Sequence, residues 1–210
     1  LLIALLTYIN TKGIRNGKII QTVFTSTKLL SLFGLIIFGF ILAAKTEIWN
    51  ANWADAFSMK GWHSDSSSWI GIGGSAMIGA VAAAMVGSIF SSDAWNNVTF
   101  IAGEVKNPKR NIGLALFFGT LIVTLIYVAT NLMYVSALPM NQIAFAENDR
   151  VAVTASHAIF GNAGTIVIAI MIMISTFGCN NGLILAGARV YNAMAIDKLF
   201  CTKSATLTKY

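Results

Sequence analysis

Two charged side chains stand alone inside apolar runs of this 210-residue chain: Lys28 in QTVFTSTKLLSLF and Asp93 in GSIFSSDAWNN. An ionisable group at membrane depth is costly and marks a functional position by default. Asp93 offers three roles: it takes the amino group of a substrate, pairs with a basic residue of another helix, or accepts backbone N–H groups at a helix start, for which Ser92 is the other candidate. Lys28 offers two. Its stem lies in lipid while the ammonium reaches the headgroups, or it faces the interior and holds neighbouring helices by charge-assisted hydrogen bonds, standing in for a coupling cation. Phe90, three residues before Asp93, is either core or a flat side chain closing over a ligand at a helix discontinuity, where freed N–H and C=O groups bind the ends of a zwitterion. Further on, STFGCNNG places Ser175, Thr176, Cys179, Asn180 and Asn181 in another apolar run, to line the same cavity or to bond across helices. No Ser/His/Asp set, Walker sequence or glycine-rich phosphate loop occurs. His63 and His157 lie in separate loops without paired ligands, and Cys179 and Cys201 on different elements do not form a disulfide framework. Neither an enzyme, a metal site nor a cofactor is expected.

These groups need elements that hold them in a bilayer. Only 10% of the residues are charged and 56% are hydrophobic, where a soluble domain carries about 25% charge. The composition is that of a polytopic membrane protein. Apolar runs predict spans at about 1–9, 21–44, 70–102, 112–138 and 159–188, a single transmembrane domain fragment over 1–210. The run 70–102 is longer than the roughly 20 residues a crossing needs. Its polar knot sits where unpaired groups cost several kcal/mol each, so a broken helix is expected, with the knot lining a cavity. Ser75, Gly79, Ala83 and Gly87 form a small-residue stripe on that helix, and Gly178, Gly182 and Ala186 repeat it on the last one, as close helix packing requires. The opening LLIALLTYIN has no initiator Met, basic n-region or cleavage site; the chain is expected to begin inside a helix of a longer protein.

Loop charge sets the orientation. Loops 10–20 and 103–111 and the tail 189–210 hold Lys12, Arg15, Lys18, Lys106, Lys109, Arg110, Arg189, Lys198, Lys203 and Lys209. Loops 45–69 and 139–158 hold Lys45, Lys60 and Arg150 against five acids. The positive-inside rule places the first group in the cytoplasm and the second outside. The same bias explains most of the net charge of +6, and nucleic-acid binding is not needed to account for it. Trp49, Trp53, Trp62 and Trp69 suggest that the first outer loop is pressed to headgroup level. An integral multi-pass protein of a plasma or inner membrane is expected.

The stretches SIFSSDAWNNVTFIAGEVKNPKRNIGLAL and STFGCNNGLILAGARVYNAMAIDKLF resemble the amino acid–polyamine–organocation (APC) superfamily, most closely its L-type amino acid transporter branch. The first is similar to the family's sixth helix and its basic exit loop, with Phe90, Trp95, Asn96, Glu104, Asn107, Pro108, Arg110 and Asn111 in place. The second is similar to the eighth helix through Phe177, Gly178, Asn181, Gly182, Arg189 and Met194. By order and length the chain corresponds to the end of helix four through helix eight, under half of the usual twelve. The resemblance implies an all-α polytopic membrane protein holding part of the LeuT-like inverted-repeat transporter fold, with a discontinuous helix. It also implies sodium-independent amino acid transport, by a permease or exchanger working through alternating access. A cationic amino acid or polyamine antiporter, and a non-transporting sensor or scaffold on the same fold, are the alternatives. By the same resemblance, the backbone of Ile89, Phe90, Ser91, Ser92 and Asp93 receives the substrate amino group, Phe90 is the gate over it and Asn96 lines the cavity below. Lys28 resembles the fifth-helix lysine that stands where sodium-coupled relatives bind an ion and bridges helices one and eight, with Ser175 and Cys179 as its eighth-helix candidates. Asp93 and Ala94 depart from the glycines usual in the animal L-type branch. The implied partners are an amino acid, the bilayer and the remaining helices, the glycine-rich first helix among them. An accessory subunit is left undecided.

Overall fold

A computed structural model describes residues 2–11, 14–63 and 67–205; Lys12, Asp65 and Lys209 of the charge tally lie outside these. Helix α1 (Leu2–Thr11) is followed by α2 (Ile14–Phe38), which opens into one π-helical stretch, Gly39–Ala43. The segment NTKGIRNGK, expected as a loop ahead of a span at 21, is therefore largely helical, and α2 starts at Ile14. A glycine costs a helix interior about 1 kcal/mol. At Gly17 packing overrides that cost, because an added methyl would collide with the Asn10 side chain lying against it.

Next come α3 (Thr46–Trp53) and a two-stranded antiparallel ribbon, β1 (Lys60–His63) with β2 (Ser68–Gly71), in which Trp62 pairs with Trp69. The ribbon is the sole departure from helix and turn among the described residues. Helix α4 (Ser75–Ser91) leads to a 3₁₀ segment, Trp95–Glu104. The remaining helices are α5 (Pro108–Ala137), α6 (Met140–Ala144), α7 (Val151–Phe160) and α8 (Gly164–Ile196). Pro108 starts α5 at its first position, where no N–H is missed. Helix α8 runs two turns past residue 188, so the first part of the expected tail is helical to Ile196. Four runs are long and apolar enough to cross a membrane: Gly17–Ala43, Ser75–Gly103, Pro108–Ala137 and Val151–Ile196.

Packing concentrates in two places. At the end bearing loops 45–69 and 139–158, Leu35 and Ala43 meet Met133, Ala137, Leu138, Ala155, Ile159 and Ile168 in one buried cluster. Asn52 of α3 ties this end together. Its amide donates to the Val135 and Leu138 carbonyls, each at 2.8 Å, and its oxygen accepts the Met140 N–H at 3.0 Å, so one side chain satisfies both the end of α5 and the start of α6. The ribbon is anchored beside it: Trp62 and Trp69 both lie against the Phe145 ring, and the Trp69 indole donates to Asn141 at 3.0 Å.

The second place is the seam of α1, α2 and α8. Phe24 stacks on Phe177 with centroids 4.5 Å apart, and a methyl on Gly178 would lie 3.1 Å from Phe24. Near the basic end, Asn181 is wholly buried and sits among amides. It accepts from Asn10 at 2.9 Å and donates to Gln21 at 2.9 Å and to the Gly17 carbonyl at 3.3 Å. By contrast α4 buries no residue, and its glycines Gly79 and Gly87 have nothing within 4 Å.

Replacing Asn181 with alanine removes one interhelical partner from each of Asn10, Gln21 and the Gly17 carbonyl, and interhelical hydrogen bonds in membranes are each worth about 0.6–2 kcal/mol. Asn181→Ala in the full-length protein is expected to lower the midpoint of thermal unfolding in detergent by a few degrees, and Gly17→Ala to do the same. An unchanged midpoint in both contradicts the clamp.

Candidate functional site

The site begins where α4 ends. Ser91 is still helical, Ser92–Ala94 form a turn, and Ala94 takes left-handed dihedrals of φ 66° and ψ 6° before the 3₁₀ segment starts at Trp95. The interruption thus falls at Ser92–Ala94, and Ile89, Phe90 and Ser91, expected to be unwound, remain in the last turn of α4. The cause is local. The Ser91 and Ser92 hydroxyls both donate to the Ser88 carbonyl at 2.9 Å, and the Ser92 N–H, displaced from that carbonyl, turns to Ile89 at 3.2 Å, which ends the α-helical ladder there. A left-handed alanine costs on the order of 1–2 kcal/mol, so a position that suits glycine is filled by a residue that resists it. The ten-residue 3₁₀ segment is also unusual, since runs beyond three or four residues are uncommon and often mark a hinge.

The last four carbonyls of a helix lack intrahelical donors, and here each finds one. Ser88 takes the two hydroxyls, Ile89 the Ser92 N–H at 3.2 Å, and Phe90 the Asp93 N–H at 3.3 Å. Ser91 takes the Tyr127 hydroxyl of α5 at 2.9 Å. Tyr127 is a site residue that sequence reasoning missed. The available signal was a phenol in the apolar run 112–138, where Tyr127 and Tyr134 are the two present, because carbonyls freed by a break must find donors.

Asp93 does not cap the segment that follows. Ala94 occupies the cap position, no side chain bonds there, and among the described residues the Asp93 carboxylate has no hydrogen-bond or ion-pair partner. It is exposed, as are Ser91, Ser92 and Asn96, while Ile89 and Phe90 are 64% and 77% exposed. A helix C-terminus carries about half a negative charge, and Asp93 adds a full one beside it. That end of α4 attracts a cation, and the Ile89, Phe90 and Ser91 carbonyls each retain a second lone pair.

A second group forms on the α2–α8 seam. Lys28 is half-buried, and its ammonium lies 3.8 Å from Cys179 Sγ. Because α2 begins at Ile14, Lys28 sits about four turns into the helix, roughly 21 Å along its axis. Ser175 lies one turn before Cys179 and is half-buried. No hydrogen bond joins the Lys28 group to the residues at the break among the described residues. The structure thus brings Lys28 and Cys179 together, and Ile89, Phe90, Ser91, Ser92 and Asp93 at the break, as two separate groups.

Ala94→Gly removes the left-handed penalty and is expected to raise stability by up to about 1 kcal/mol. Tyr127→Phe leaves the Ser91 carbonyl short of a donor and is expected to lower stability by about 1 kcal/mol. Thermal unfolding of the full-length protein in detergent checks both; a destabilised Ala94→Gly contradicts the assigned turn.

Comparison with known proteins places these features in a family. Residues 1–209 match the family described as "Amino acid permease". The chain is 30% identical over 192 residues to the b(0,+)-type amino acid transporter 1 of Oryctolagus cuniculus, covering 91% of this chain and 36% of that protein. It is 30% identical over 190 residues to the serine/threonine exchanger SteT of Bacillus subtilis (strain 168), covering 90% and 38%. To the large neutral amino acids transporter small subunit 2 of Mus musculus it is 29% identical over 191 residues, covering 91% and 33%. The chain thus spans about a third of the length of the curated relatives it matches. Its long apolar helices make it part of an integral multi-pass membrane protein, and by the match over nearly all of its residues it belongs to the amino acid permease family.

Proposed function

We propose that the full-length protein carries amino acids across a plasma or inner membrane without sodium, as a permease or exchanger working by alternating access. The observation that carries this reading is the break at Ser92–Ala94, where the negative end of α4 and the unpartnered Asp93 carboxylate stand together. An α-ammonium is the cation common to every amino acid, and discontinuous helices are where transporters of this kind bind their substrates. Phe90, exposed on the last turn of α4, is the lid over that ammonium, and Asn96 lines the space below. The names of the relatives, an amino acid transporter and a serine/threonine exchanger among them, support the substrate class.

Sodium independence rests on Lys28. Its ammonium, within reach of Cys179, with Ser175 one helical turn before that cysteine, supplies a fixed positive charge on the α2–α8 seam and takes the place of a coupling ion. The loops 45–69 and 139–158 face outside on this reading, and the basic ends face the cytoplasm. The work is transport, with no chemical step for an enzyme to perform.

Asp93 favours a second reading. A free carboxylate at the break suits a substrate with two positive charges, which makes a cationic amino acid or polyamine antiporter the rival. Competition separates them: excess arginine or putrescine suppresses leucine or alanine uptake only in the rival case.

In proteoliposomes holding the full-length protein, Lys28→Ala and Phe90→Ala are each expected to cut uptake of labelled amino acid at least tenfold. Replacing sodium by choline is expected to leave wild-type uptake unchanged. Full uptake by both variants sinks the assigned roles, collapse in choline sinks sodium independence, and ligand binding without flux makes the protein a sensor or scaffold.

A further inference from the structure

Away from the break, at the loop-rich end, a cleft of about 320 Å³ opens between α6, the turn at 147–149, α7 and the start of α8. Its volume is at the lower end of the range for small-molecule sites, roughly 300–1,000 Å³. Leu138 and Val153 supply apolar wall, while Gln142, Glu147, Arg150 and His157 supply polar groups. Glu147 and Arg150 share this cleft without forming an ion pair. The one ion pair among the described residues joins Lys60 to Asp55, and neither Glu147 nor Arg150 has a hydrogen-bonded side chain there.

The backbone fixes where both groups leave the chain. Asn148 and Asp149 are consecutive non-glycine residues with left-handed backbone, φ 52° and 58°, a strained arrangement that turns the chain between Glu147 and Arg150. Arg150 then occupies the cap position of α7, where the helix already presents its positive end. A cation is unfavourable at that place unless an anion joins it. Arg150 and the α7 terminus together make an anion subsite, and Glu147, whose carbonyl accepts the Arg150 N–H at 3.2 Å within the same turn, makes a cation subsite beside it.

One anion and one cation site side by side in a space this size fit an α-amino acid zwitterion, whose two charges are themselves only one carbon apart. We propose that this cleft is a second amino acid site, peripheral to the break, in which Arg150 receives the carboxylate and Glu147 the ammonium before the substrate moves inward. The proposal rests on the transport reading, because it concerns the same substrate class.

The test keeps the two apart. Proteoliposomes with the full-length protein receive an equimolar mixture of twenty labelled amino acids, and the one taken up fastest becomes the probe. If none enters, the transport reading fails and this site falls with it. With a probe in hand, Glu147→Gln and Arg150→Gln are each expected to raise the KM for uptake at least threefold while leaving kcat within twofold of wild type. The exchanged pair, Glu147→Arg with Arg150→Glu, is expected to restore KM, because a zwitterion can bind turned end for end. Unchanged KM in both single variants, or a defect that the exchanged pair does not repair, overturns the proposal while transport stands.

Discussion

Inside hydrocarbon, a backbone carbonyl without a donor costs several kcal/mol, so a helix can be interrupted only where something else supplies the missing bonds. The interruption at Ser92–Ala94 answers that constraint with four local donors and one distant one. Serine hydroxyls and turn amides serve Ser88, Ile89 and Phe90, and the Tyr127 hydroxyl of α5 serves Ser91. What remains unmatched is charge rather than backbone. The Asp93 carboxylate and the negative end of α4 point to a cation that none of the described residues supplies.

The rest of the molecule divides around that point. Helices α1, α2 and α8 are locked by stacked rings, glycine seats and the Asn181 amide cluster, while the buried cluster and Asn52 fasten the loop-rich ends of α2, α5, α7 and α8. Helix α4 shares in neither and buries no side chain. Lys28 with Cys179 belongs to the packed seam of α2 and α8.

Much of this was legible before any coordinates. A near absence of charge over long runs dictates membrane helices, and a carboxylate among serines and asparagines inside one of them dictates an interruption. The family could be read from SSDAWNN, KNPKRN and STFGCNN together. Boundaries were less legible. IRNGK reads as loop because it is basic and holds a glycine, and only the distant Asn10 and Asn181 contacts explain why it is helix. The break begins three residues later than glycine and hydroxyls suggest, because the i−4 ladder holds to Ser91 and ends only where the Ser92 hydroxyl takes the Ser88 carbonyl from its own N–H. Asn52, Tyr127 and the Trp69–Asn141 bond escaped notice because each acts on a partner dozens of residues away. The nearness of Lys28 to Cys179 was suggested by the family resemblance, and no spacing in the chain would have revealed it.

The central claim is that the break receives the ammonium of an amino acid, and cysteine protection tests it most directly. Ser92→Cys in the full-length protein, reconstituted in sealed vesicles, is reacted with a membrane-impermeant maleimide, and modification at residue 92 is followed by mass spectrometry. A saturating concentration of the transported amino acid is predicted to slow labelling at least fivefold, with no change at a Phe57→Cys control in the exposed loop. Equal labelling rates at residue 92, with and without amino acid, in protein that still takes that amino acid up would contradict the account.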